Sequence, residues 1–357
     1  MNSTSDLLYS TAYHFNPESL KIAREYRGLK KNELAEKLSL TPSAITQFER
    51  GQVNPNSQTV AYLSFYLRFP VHFFKRGINS SITADHCHFR SLLSCSQMER
   101  RKIVAAGNLI GMILRFVEKH IDLPAENISC SSFYNAVSFD EIDAAAEQLR
   151  YDWGLGLGPI DNVIHLLEAR GILVFRLLED SRRLDAFSSW QKNRPLIFLT
   201  SDKGSASRNR FDAAHELGHL VLHSDYLPGN KIQEQQANQF ASAFLVPRET
   251  FLKECPRRLV WNHFFELKKR WKVSLSALVR RARDLNILSE DTYRRANVQI
   301  AKQGWKRVEP FEPYIELPTI LPQAFDLLFS EGWTMPQIAE ELAISEADLR
   351  WLVYRTE

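Results

Sequence analysis

The sequence predicts a multidomain chain, mainly α-helical, with an all-α N-terminal domain and a single α+β core. Three observations predict it. Apolar residues recur at helical spacing along most of the 357 residues. Strand-like apolar runs cluster in one place, at 172–177, 186–190 and 195–200. A hydrophobic content of 44% supplies enough apolar surface for two or three separate cores. The pattern divides into 1–77, a helical connector over 78–135, the α+β core over 136–255, and a C-terminal helical region over 256–357.

The first elements are short helices. Ser19 to Gly28 is a helix ended by glycine, Asn32 to Leu38 a second helix, and Ser39-Leu-Thr41 the turn that follows. Thr41 caps a third helix, Pro42 to Arg50, with proline at the favoured first position and Gly51 as its stop. Ala35, Leu40, Ile45 and Phe48 are spaced to lock the second and third helices together. Two short helices joined this way place the later one in the major groove of DNA. The surface charge is mixed, since Glu33, Glu36 and Glu49 accompany the lysines, so protein binding by the same fold is the alternative.

In the connector, His86-Cys87-His88 near Cys95 lacks a paired Cys-x-x-Cys and reads as packed chain rather than a metal site. Arg101 to His120 is a long helix, suited to connection or dimerisation, and Leu123-Pro124 opens a boundary. Asp140 to Tyr151 is a helix with an acidic start. The run Gly154-Leu-Gly-Leu-Gly158 has no strand before it and no Gly-Lys-Ser/Thr after it, so it is a turn closed by Pro159 rather than a phosphate loop. Asn162 to Arg170 is helical. The three strands then form a short sheet, whose edge suits an extended peptide added as a further strand.

Next comes Phe211-Asp-Ala-Ala-His-Glu-Leu-Gly-His219, which places His215 and His219 at i and i+4 on one helix face. Two imidazoles so placed grip one metal ion, and Glu216 beside them takes a proton from water. Phe211, Ala214, Leu217, Leu220 and Val221 bury the helix. A hydrolytic zinc site needs a third protein ligand and one open position. Glu234, in the following helix, is the candidate, completing a His₂Glu set. Asn238 lies one turn on, where its side-chain carbonyl can accept the free N–H of a ligand histidine. Pro247 ends that helix. His223 extends the histidine stripe but lies roughly 12 Å along the helix from His215, too far to share a metal; it is structural or substrate-facing. Arg210 and His223 are candidates for stabilising an oxyanion.

The C-terminal region is helical again. Leu267 to Arg283 is basic and amphipathic, a solvated face or a nucleic-acid contact. Glu309-Pro-Phe-Glu-Pro313 reads as a linker. Met335 to Arg350 suggests a second helix-turn-helix, but its recognition helix, Glu346 to Arg350, is acidic and fits protein contact. With 45 basic and 42 acidic residues, the formal charge of +3 makes no case for nucleic acid by itself. No apolar run spans a membrane, no signal peptide opens the chain, and four scattered cysteines suit a reducing cytoplasm.

His215-Glu-Leu-Gly-His-Leu-Val-Leu-His223, Glu234-x-x-Ala-Asn-x-Phe-Ala and Leu245-Val-Pro247 resemble the ImmA/IrrE family of zinc metallopeptidases. Trp153 to Pro159, Leu167 to Gly171, Asp185 to Ser188 and Arg208 to Phe211 extend the resemblance. Gln236 departs from it, because many relatives carry a second glutamate there. The N-terminal module resembles the Cro/repressor type of helix-turn-helix through Phe48-Glu-Arg-Gly51 and Pro55. That resemblance implies that Ser43, Thr46 and Gln47 face base edges while Lys31, Thr41 and Arg50 approach phosphates; a glutamine at 47 can pair bidentately with adenine.

Together these features imply a zincin-like α+β metallopeptidase core joined to a DNA-binding domain, in a cytoplasmic transcriptional regulator. The implied cofactor is Zn²⁺, with Glu216 as catalytic base. The implied partners are duplex DNA and a repressor-type protein substrate, cleaved in trans or within this chain itself, with a homodimer possible and no membrane. The alternatives are a non-proteolytic metal-binding transcription factor and an antitoxin-like partner of a toxin.

Overall fold

The computed structural model describes residues 15–77, 88–89, 96–128, 138–177, 186–191, 194–200, 205–223 and 231–354. His86, Cys87, Cys95, Cys130 and Asp185 lie outside them. Two compact units emerge: one gathers residues 1–84, 96–122 and 322–354, the other 85–95, 123–321 and 355–357. The division differs from four consecutive stretches because side chains distant in sequence close each unit.

In the first unit, α1 (Pro17–Tyr26) is capped by Asn16, whose side chain accepts from Ser19 N at 3.1 Å. α2 (Lys31–Lys37) starts with Glu33 accepting from Lys30 N at 2.7 Å. α3 (Pro42–Glu49) begins with Thr41 Oγ1 accepting from Ala44 N at 3.2 Å. α4 (Ser57–Leu67) and a 3₁₀ turn (Val71–Lys75) follow. Ala35, Ile45 and Phe48 are buried, as their spacing requires, whereas Leu40 is only half-buried and Leu34 is buried instead.

α5 (Gln97–Val117) packs along α1. It is apolar on almost every face from Ile103 to Val117 and buried accordingly, which makes it a core helix of this unit rather than an exposed connector or dimer surface. Most of α14 (Ile320–Ser330), with α15 (Met335–Leu342) and α16 (Glu346–Val353), belongs here too. The acidity of α16 has an intramolecular explanation. Asp348 receives both arms of the Arg27 guanidinium, at 2.8 and 2.6 Å, and Trp351 meets Tyr26 edge-on.

The second unit is α+β. Its sheet has the order β1-β3-β4-β2, with β1 His88–Phe89, β2 Leu173–Leu177, β3 Ala186–Gln191 and β4 Arg194–Thr200. β2 runs parallel to β4, while β3 runs antiparallel to it with Phe187 opposite Phe198. Alternation sorts the faces. Phe175, Phe198 and Phe187 stack on one side. Val174, Ala186, Ile197 and Leu199 join the core that also contains α8 (Ala206–Leu222).

The described helices of this unit besides α8 are α6 (Phe139–Asp152), α7 (Val163–Ala169), α9 (Lys231–Leu245), α10 (Arg248–Glu254), α11 (Trp261–Trp271), α12 (Leu275–Asp284) and α13 (Glu290–Lys302); α7 and α9 pack on α8. The glycine run after α6 is a turn: Gly154 and Gly156 adopt φ of +68° and +61°, and the buried Arg150 donates to the carbonyl oxygens of Gly156, Gly158 and Phe244. The run thus turns carbonyl oxygens toward a buried guanidinium, whereas a phosphate would need converging backbone N–H groups.

The basic stretch 267–283 is divided by Lys272 at φ +54° and is a solvated face only in part: Lys269, Arg270 and Arg280 are exposed, whereas Lys268 and Arg281 are buried. Its cations pair within the unit. Lys268 is fully buried between Glu309 and Glu312, and Arg281 is buried against Asp143; Arg270 meets Glu254 and Lys272 meets Asp161. The residues read as a linker form a clamped strap instead. Glu309 also accepts from Leu275 N at 2.8 Å, Glu312 from Ser207 N at 3.0 Å, and Glu316 from Val163 N at 2.8 Å and from Arg210. Glu312 thereby supplies the acceptor at the N-terminus of α8 that Ser205 does not.

Candidate metal centre and nucleic-acid interface

Every residue of the metal motif lies on α8 or α9, the most closely packed helix pair of the unit. Gly218 permits that approach. A Cβ there would lie 3.1 Å from Phe240 Cδ1 and 3.2 Å from Ala237 Cα, so a larger residue would push α9 away. α9 carries Glu234 on its first turn, and close packing brings that carboxylate over the histidine face of α8.

The three donors form a small triangle. His219 Nε2 is 3.1 Å from His215 Nε2, His215 Nε2 is 3.3 Å from Glu234 Oε2, and His219 Nε2 is 3.4 Å from Glu234 Oε1. A tetrahedral ion with bonds of about 2.0–2.1 Å has ligand–ligand edges of about 3.3–3.4 Å, so the triangle is the size of one face of a zinc tetrahedron. Among the described residues, these three make up the metal-ligating group, the number that leaves a position for water or substrate.

The electrostatics suit a cation. Burial opposes ionisation of Glu234, yet its close contacts with His215 and His219 hold its carboxyl down at about 2. Burial lowers His219 to about 3, so at neutral pH the site offers a carboxylate and an uncharged imidazole. Glu216 is fully buried and accepts from Ser188 Oγ on β3 at 2.7 Å. Ser188 is a residue that sequence reasoning did not single out for a role: it is 28 positions away, and only the strand's placement against α8 brings it to the carboxylate.

Asn238, His223 and Arg210 complete the surroundings of the site. Asn238 donates its Nδ2 to the Glu234 backbone oxygen at 2.6 Å, a bond within its own helix. The residue meeting the far nitrogen of His219 is His223, with Nδ1 to Nδ1 at 3.1 Å. Its role is therefore neither ligand nor oxyanion group, since it sits on the opposite side of the His219 ring from Nε2. Arg210 is not directed at an oxyanion either: its guanidinium, 1% exposed, binds the carbonyls of Ile160 and Asp161 and the carboxylate of Glu316.

On the first unit, Ser43, Gln47 and Arg50 are exposed at i, i+4 and i+7 along one face, opposite buried Ile45 and Phe48. Thr46 is half-buried and donates back to Pro42 O at 3.0 Å. Thr41 serves as the cap. Lys31 pairs with Glu49 at 3.0 Å. Glu49 is no surface charge: its side chain is 4% exposed and also receives Arg24 at 2.5 Å. With Glu33 engaged as a cap, two of the three acids that made the surface mixed belong to the fold.

Residues 167–283 match the model of the M78 peptidase family, described as the IrrE N-terminal-like domain. Residues 20–64 match the model described as Helix-turn-helix. No curated protein matches the chain. The peptidase match takes in β2, β3, β4, α8 and α9 and continues beyond residue 255 nearly to the end of α12. The chain thus joins a helix-turn-helix DNA-binding domain to a metallopeptidase-type domain of the ImmA/IrrE kind. No helix among the described residues is long and apolar enough to cross a membrane.

Proposed function

We propose that the chain is a zinc-dependent endopeptidase that cleaves a repressor-type protein and is joined to its own DNA-binding domain. The observation that supports this reading most is the donor triangle of His215, His219 and Glu234 with a buried carboxylate, Glu216, adjacent in sequence to one ligand. A zinc ion held by these residues would polarise the scissile carbonyl and acidify a water molecule. Glu216, oriented by the Ser188 hydroxyl, accepts the proton of the attacking water and delivers it to the leaving amine. His215 and His219 remain neutral ligands, and Glu234 contributes the one negative charge. The substrate is a repressor-type protein in the cytoplasm, or this chain's own N-terminal region. Incubation of the full chain with repressors encoded beside its gene should yield defined fragments with zinc and none after chelation. Equal fragments in both conditions would overturn the reading.

We also propose that α3 reads base edges through Ser43, Thr46 and Gln47, with Thr41, Lys31 and Arg50 at phosphates. Gln47→Ala should lose discrimination at one base pair, costing about 1–3 kcal/mol. Arg50→Ala should weaken all sequences alike and reduce the salt slope by about one. Lys31→Ala should do so less, because Glu49 already shares its charge. Selection from a random duplex pool, followed by titration at two salt concentrations, measures all three. Absence of any enriched sequence would make the module a protein-binding domain.

A further inference from the structure

A chain of three side chains runs from His219 away from the metal centre. Its ring Nδ1 lies 3.1 Å from His223 Nδ1, and His223 Nε2 lies 2.8 Å from Gln236 Oε1. His219 and His223 are buried, at 1% and 3% exposure. Gln236 stands two positions beyond Glu234 on α9, so the chain links both metal-bearing helices.

Proton counting leaves one arrangement compatible with a metal. An amide oxygen only accepts, so His223 Nε2 carries its hydrogen and donates it to Gln236. A neutral imidazole has a single N–H, so His223 Nδ1 is a lone pair and accepts from His219 Nδ1–H. His219 Nε2 is then left as a lone pair, directed at Glu234 and His215. Turning the Gln236 amide over reverses every bond and puts a hydrogen on His219 Nε2, where a ligand atom is required. We infer that Gln236, acting through His223, is a positioning residue that sets His219 in the tautomer able to bind the metal.

Glutamine has a second consequence. A carboxylate at this position would make the same hydrogen bond but add a negative charge behind a ligand histidine. Glutamine keeps the tautomer while leaving one carboxylate, Glu234, in the set. Position 236 therefore separates two properties: an acceptor oxygen governs affinity, and its charge governs how electron-rich the His219 ring is.

The inference rests on the metal reading of the site, and the experiment keeps the two apart. Zinc affinity of the full chain would be measured by competition with a chromophoric chelator for wild type, Gln236→Leu, Gln236→Glu and His223→Phe, with circular dichroism and thermal melts on each. Cobalt-substituted protein would give visible spectra of the same set. Gln236→Leu and His223→Phe should bind zinc about 10–100-fold more weakly, the usual effect of losing the partner of a ligand histidine. Gln236→Glu should restore affinity to at least that of wild type, with shifted cobalt bands that report the added charge. Rescue by glutamate separates the relay from simple packing, because leucine and glutamate both fill the space. Wild-type affinity in folded Gln236→Leu overturns the inference alone. A Gln236→Glu variant as weak as Gln236→Leu also overturns it. Failure of wild type to bind zinc overturns the metal reading and the inference with it.

Discussion

Glu216→Gln should abolish peptide cleavage while leaving the fold and the zinc content unchanged. The amide is nearly isosteric and can still bond to the Ser188 hydroxyl, so the buried site between α8 and β3 keeps its shape. It cannot accept a proton at neutral pH, and removal of a general base costs about 10²–10⁴-fold in rate. Wild type and variant would be incubated with the same repressor panel and with labelled full-length chain as its own substrate. Metal content and thermal melting are measured in parallel. Equal rates would remove Glu216 from the mechanism. Loss of both zinc and activity would assign it a structural role instead.

The second large effect is on the metal itself. Glu234→Ala, His215→Ala or His219→Ala should each remove one vertex of the 3.1–3.4 Å donor triangle. Two remaining ligands cannot hold an ion against dialysis, so the loss should exceed the 10–100-fold expected for an outer contact. The Glu234 variant is the sharper test, since it alone breaks the bridge between α8 and α9 and exchanges the set's one negative charge for none. Metal analysis after dialysis, with competition titration, measures it. Undiminished zinc in Glu234→Ala would place the third ligand elsewhere and require a different geometry from the one described.

Position 223 shows where one-dimensional reasoning stops. The rise of an α-helix excludes His223 as a third ligand to the ion held by His215. What His223 does instead depends on Gln236, thirteen residues away on another helix. The same glutamine looks like a departure from the family pattern until its oxygen is seen to accept from that histidine.

The sequence by itself determined whatever depends on neighbours within about one helical turn. The i, i+4 histidine pair, the Thr41 cap before Pro42, the stop at Gly51, the end of α9 before Pro247 and the three strand segments all follow from local geometry and local hydrogen bonding, and all stand in the fold. Tertiary structure alone decided the rest, because a charged or polar side chain does not announce its partner. Glu49 is a buried acceptor for Arg24 rather than a surface charge, and the acidic α16 is acidic for Arg27, 321 residues away. Lys268, in a stretch that reads as a basic face, is sealed between two glutamates of a strap that reads as a linker. Ser188 reaches Glu216 only because β3 lies against α8. Each such pairing has to offset the cost of taking charge or polarity out of water, which only a specific partner at hydrogen-bond distance can do, and the long-range packing of the chain chooses that partner.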